Sequence, residues 1–147
     1  LGKLVINRQE ATMVSIHKKT FDQIVEQLFQ TGTKQAKQRV WDYIAAMPTL
    51  YFVQCGRRSC SVPWITFEKD VPTAMVFTNF DHAIQASNTC IEDGSNVRVV
   101  GLPTNAASMY IAAIASQGVT HVCFNHGPQK FISSIEEVII AVGSMKR

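Results

Sequence analysis

Ala74-Met75-Val76-Phe77-Thr78-Asn79-Phe80-Asp81-His82-Ala83-Ile84 decides the fold. Its first four residues form a short apolar run of strand character. Thr78 and Asp81 then offer side-chain oxygens to the free N–H groups that open a helix, and Phe80, Ala83, Ile84 and Ile91 fall on one face of that helix. The helix is expected to end near Asp93-Gly94. A strand running straight into a helix is the first half of a crossover connection, and the chain beyond it repeats the pattern. Val97-Arg98-Val99-Val100 reads as the next strand. Pro103 opens a helix with Ala106, Met109, Tyr110, Ala113 and Ile114 on one face, closed by Gly118. Val119 to Phe124 is the last strand. A final helix, capped by Ser133 or Ser134 with Glu136 and Glu137 in its first turn, sets Ile135, Val138, Ile139 and Val142 inward before Gly143.

Upstream the pattern differs. Thr20 stands three residues before Gln23 in a capping-box arrangement, and Phe21, Ile24, Val25, Leu28 and Phe29 share a helical face that Gly32 ends. A second helix from Thr33 places Ala36, Val40, Ile44 and Met47 on one stripe until Pro48 forces the backbone out of helical geometry. Leu50-Tyr51-Phe52-Val53, Trp64-Ile65-Thr66-Phe67 and Ala74-Met75-Val76-Phe77 then read as a meander joined by short polar turns. Pro63 places the start of the second strand late or at an edge.

The order α-α-β-β-β-α-β-α-β-α predicts an α/β fold with α+β character in its first half: a single mixed sheet of about five strands with helices packed on it. Residues 20–147 read as one domain and 1–19 as an N-terminal arm. No internal repeat or low-complexity linker interrupts the chain.

Composition narrows the class further. The 147 residues are 46% hydrophobic and 17% charged, which is globular and argues against disorder or a disulfide-dense scaffold. The run Met109 to Ala115 reaches only about a third of the ~20 residues that span a bilayer, so no membrane partner is expected. The net charge of +3 arises before Pro48, and Lys18-Lys19 and Arg57-Arg58 stand apart from any basic stripe, so no nucleic-acid partner is expected. Four cysteines without regular spacing suit reduced thiols, and Leu4-Val5-Ile6 is too short for a secretory core, which together predict a cytoplasmic protein.

Ligands of crossover sheets bind beyond the carboxyl ends of the strands. Three loops are expected there, and their polar members, Thr78, Asn79, Thr104, Asn105, Asn125 and His126, are the candidate ligand-binding residues. Neither a dinucleotide fingerprint nor a P-loop occurs, so no cofactor is expected. Cys55 and Cys60 flank the turn Gly56-Arg57-Arg58-Ser59, where a hairpin sets them opposite each other as a candidate redox pair. His121, Cys123 and His126 form the Cys/His cluster of the sequence, with ligand types suited to zinc. Ser59 and Ser61 sit in no nucleophile elbow, and no acid/base pair stands out.

The segment Val76-Phe77-Thr78-Asn79-Phe80-Asp81-His82-Ala83, then Leu102-Pro103 before a helix, then Val122-Cys123-Phe124-Asn125-His126-Gly127-Pro128, resembles the N-terminal domain of the SseB (enhanced serine sensitivity) family. The likeness extends over roughly residues 33–142. That family carries a Phe-Thr-Ser-type helix start and an Asn-Pro-Gly-type turn in this order. Here Asn79 replaces the small residue, and His126-Gly127-Pro128 departs from the turn pattern. The resemblance implies a small bacterial α/β domain and transfers no catalytic residue.

A patterned core without a catalytic constellation leads to one functional expectation: a non-enzymatic binding module with a protein partner, self-association included. The alternative is a thiol- or metal-dependent site at His121, Cys123 and His126.

Overall fold

The computed structural model describes residues 19–56, 61–91 and 96–143. Among them are five helices and seven strands. In chain order these are α1 (Phe21–Thr31), α2 (Lys34–Ala46), β1 (Thr49–Cys55), β2 (Val62–Pro63), β3 (Ile65–Glu68), β4 (Val71–Phe77), α3 (Phe80–Cys90), β5 (Val97–Pro103), α4 (Thr104–Ala115), β6 (His121–Phe124), β7 (Phe131–Ser134) and α5 (Ile135–Gly143). The chain forms two compact units, Leu1–Val40 and Trp41–Arg147, divided within α2.

In the first unit α1 begins as its sequence dictates. The Thr20 hydroxyl accepts from the Gln23 N–H while the Gln23 side chain accepts from the Thr20 N–H, and Gly32 ends the helix at φ 62°. Phe21 and Val25 are buried, whereas Phe29, expected on the inward face, is exposed. Thr33 accepts from the Ala36 N–H at the start of α2, whose Ala36 and Val40 are buried.

The seven described strands lie in the second unit and form a mixed sheet. β1 pairs antiparallel with β5 along its full length, while β4 and β6 run parallel and β6 pairs antiparallel with β7. β1 and β4 meet only at Tyr51↔Phe77 and Phe52↔Val76. Beyond that point they diverge, and residues 62–68 occupy the divergence: β2 returns along β1 and β3 leaves along β4. Trp64 stands at the apex of this fork, its N–H donating to the Val53 carbonyl at 2.9 Å and its own carbonyl accepting from the Met75 N–H at 3.2 Å. Pro63 lies in the two-residue β2, and the longer strand starts after it, at Ile65. β2 and β7 are the two strands beyond the five expected: β2 has only two residues, and β7 takes in Ser133 and Ser134, residues expected at the cap of the last helix.

Side-chain alternation gives each sheet face its own core. On one face Val53, Met75, Phe77 and Cys123 pack with Ala83 and Ala86 of α3. On the other, Phe52 meets Tyr110 of α4 edge to face at 4.8 Å, and Trp41 meets Phe124 and Phe131. Phe52, Phe77 and Phe124 are fully buried, each contributing about 2–3 kcal/mol of hydrophobic stabilisation. The buried stripe of α4 is Ala107, Ser108, Ile111 and Ile114, and Met109 faces outward. Of the expected stripe, Ile114 is buried and Tyr110 packs on Phe52, while Met109 and Ala113 are exposed, because Met109 to Ala115 gives little polar contrast.

Candidate functional site

The three strand ends lie on one rim. β4 and β6 are parallel neighbours, and β5, antiparallel to β1 as β4 is, also ends there, with Pro103 beside Thr49. β1 separates β5 from β4, an interval of about 10 Å at the usual strand spacing. Thr78, Asn79, Asn125 and His126 therefore come together, while Thr104 and Asn105 stand apart. The Thr104 hydroxyl donates to the Met47 carbonyl, and Asn105 is exposed at the start of α4.

Thr78 and Asn125 form a reciprocal pair that clamps the ends of β4 and β6. Asn125 Oδ1 accepts from the Thr78 N–H at 2.9 Å, and Asn125 Nδ2 donates to Thr78 Oγ1 at 2.8 Å. The Asn125 N–H continues the ladder to the Val76 carbonyl at 2.9 Å. Both side chains are buried, and Asn125 holds φ 55°, a left-handed conformation that asparagine tolerates better than most residues. The N-cap of α3 is Asn79 and not Thr78: Asn79 Oδ1 accepts from the His82 N–H at 3.0 Å. Thr78 is drawn into the clamp instead. Pro103 likewise ends β5 as the residue before α4 and is not its first helical residue.

His82, in the first turn of α3, reaches across to the β6–β7 loop. Its Nε2 lies 3.0 Å from the His126 carbonyl; a carbonyl only accepts, so this nitrogen carries the proton. His82 also packs on Phe77, whose other ring neighbour is Trp64, stacked at 6.3 Å. The His126 ring meets Trp64 edge to face at 6.4 Å. His126 Nδ1 is buried and has no hydrogen-bond partner among the described residues. The sequence signal for His82 was its position three residues after Asn79, and for Trp64 its position directly after Pro63; neither stood out without the β6–β7 loop beside it.

The other candidates do not assemble. His121 and His126 flank opposite ends of β6, more than about 10 Å apart along an extended strand. Between them Cys123 is buried in the apolar core, and His121 Nδ1 lies 2.9 Å from Thr120 Oγ1. No three His, Cys, Asp or Glu groups among the described residues are arranged to hold a metal ion. Cys55 is half-buried, and burial pushes its thiol up from the ordinary value, away from the reactive thiolate. Cys60, the other half of the redox pair, lies outside the described residues, as do Arg57, Arg58 and Ser59.

No family model and no curated protein matches the chain. No helix among the described residues is long and apolar enough to cross a membrane.

Proposed function

We propose that the chain is an SseB-like, non-enzymatic binding domain whose partner is another protein. One observation carries the reading: four of the six polar residues expected at the rim, Thr78, Asn79, Thr104 and Asn125, are engaged within the fold. Asn125 holds Thr78, Asn79 caps α3, and Thr104 bonds the Met47 carbonyl. The rim thus works as a fastening, and the side chains left for a partner to cover include three large apolar ones, Phe67 at 71% exposed and Met109 and Ile140 each at 70%. Interfaces take their binding energy from such side chains when a partner desolvates them. Cys55 and Cys90 are free thiols, as in a reducing compartment, so the proposed location is the cytoplasm.

A second reading rests on His126 Nδ1, which a hydrogen-bonding group of a small ligand would satisfy. Affinity capture with wild-type chain and with Phe67→Ser, Met109→Gln and Ile140→Lys variants separates the two. A protein retained by the wild type and lost by a folded variant supports the protein-binding domain. Identical capture throughout, with a metabolite raising Tm in wild type but not in His126→Leu, overturns it in favour of the ligand reading.

A further inference from the structure

A polar cluster lies on the sheet face that carries Phe52, at the end of β1 away from Thr49 and the rim. Gln54 follows Phe52 by two residues and so projects from the same face. In register it stands between Arg98 of β5 and Pro63 of β2. Arg98 Nη2 donates to Gln54 Oε1 at 3.0 Å and to Ser61 Oγ at 3.5 Å, and Gln54 Nε2 donates to the Tyr110 hydroxyl oxygen at 3.3 Å. One glutamine therefore ties the β5 guanidinium to the α4 phenol.

The direction of these bonds leaves donors in excess. Gln54 Oε1, Ser61 Oγ and Tyr110 Oη each accept from a neighbour inside the cluster. A guanidinium has five N–H groups, and only those on Nη2 find acceptors among the described residues. The Nη1 and Nε hydrogens of Arg98 and the hydroxyl hydrogens of Ser61 and Tyr110 are left over, and no carboxylate among the described residues pairs with the charge. Arg98 is exposed, yet two acceptors hold its guanidinium in place, which reduces the ordering a ligand must impose.

Unused donors around a held positive charge call for an anion. A planar fork with two hydroxyls beside it suits a tetrahedral group with three terminal oxygens better than a flat carboxylate with two. We propose that Arg98, Ser61 and Tyr110 form a phosphate-binding site, with Gln54 as the positioning residue between them. The site uses none of Asn125, His126, Phe67, Met109 or Ile140, so the inference does not rest on the proposed protein-binding role.

Titration of the full chain with inorganic phosphate, exchanged against chloride at constant ionic strength and followed through the amide NMR signals of Gln54, Arg98 and Tyr110, tests the inference. In wild type these signals should shift together and saturate. Arg98→Lys keeps the charge but loses the planar fork and should weaken binding by about tenfold. Gln54→Glu gives Arg98 a carboxylate of its own and Tyr110 an acceptor, so it should abolish binding without lowering Tm. Tyr110→Phe keeps the ring on Phe52 and should weaken binding by a smaller factor than Arg98→Lys. Glycerol phosphate that binds more tightly than inorganic phosphate makes the ligand a phosphorylated compound, and equal binding makes it the ion itself. Shifts that never saturate overturn the inference, as do Arg98→Lys and Gln54→Glu variants that bind like wild type. Acetate saturating as tightly as phosphate overturns it in favour of a carboxylate ligand. If Gln54→Glu fails to fold, Arg98→Lys and Tyr110→Phe still decide.

Discussion

Asn125 shows how much of the rim depends on one side chain. Its amide uses its oxygen and its nitrogen on the same residue, Thr78, inside the protein. Asn125→Ala leaves the Thr78 N–H and hydroxyl buried without those partners, which should cost about 2–3 kcal/mol in urea denaturation. Asn79→Ala removes only a helix cap and should cost about 1 kcal/mol. Equal losses for the two would mean that the clamp adds nothing beyond a cap. Cys55 makes a second prediction. With its thiol pKa raised by burial, folded and unfolded chains both keep the proton below about pH 8.5, the ordinary thiol value. As pH rises past that value the unfolded chain loses its proton first, so the thiol's contribution to stability is full below it and falls away through the folded pKa. Wild-type stability should therefore decline on the alkaline side more steeply than that of Cys55→Ala; parallel pH curves would refute it. From the sequence, Asn125 and Thr78 were legible as polar residues at strand ends. That they bond each other was not, because the parallel pairing of β4 with β6 joins residues 47 positions apart.

At the scale of elements, helices with local signals were the most readable. The Thr20/Gln23 box, Gly32, and Ser134, which accepts from the Glu137 N–H, act within a few residues of their own position. Strand ends were less so. β5 runs to Pro103 and β4 starts at Val71, because pairing partners and not intrinsic preference extend them. The β3–β4 hairpin turns on Lys69 and Asp70, both at positive φ, 51° and 64°. Two such residues between paired strands form a type I′ turn, where asparagine and glycine fit with less strain. The double change Lys69→Asn and Asp70→Gly should therefore stabilise the fold by about 1 kcal/mol, read as a raised Tm. A lowered Tm would show that the Lys69 or Asp70 side chain contributes more than the strain of the turn costs.

At the scale of the sheet-bearing unit, Trp41–Arg147, the alternation of strand and helix was enough to give the fold class, a mixed sheet with helices packed on it. The fork was not legible, since nothing in Trp64-Ile65-Thr66-Phe67 says that the chain approaches along one strand and departs along another. Trp64 makes that bend possible: its main chain bonds both β1 and β4, and its ring covers Phe77 and His126. Below it, β5-β1-β2 and β3-β4-β6-β7 are separate sets of paired strands. A Trp64→Ala change keeps both main-chain bonds but removes the ring that fills the apex, so it should cost about 3–4 kcal/mol. The loss should also be uneven. Hydrogen exchange should quicken first at the Trp64-facing amides of β2 and β3 and at Met75, while β1–β5 pairs, which do not pass through the apex, open only with global unfolding. Uniform acceleration along all seven strands would instead mean that the two sets unfold as one and that the apex holds nothing of its own.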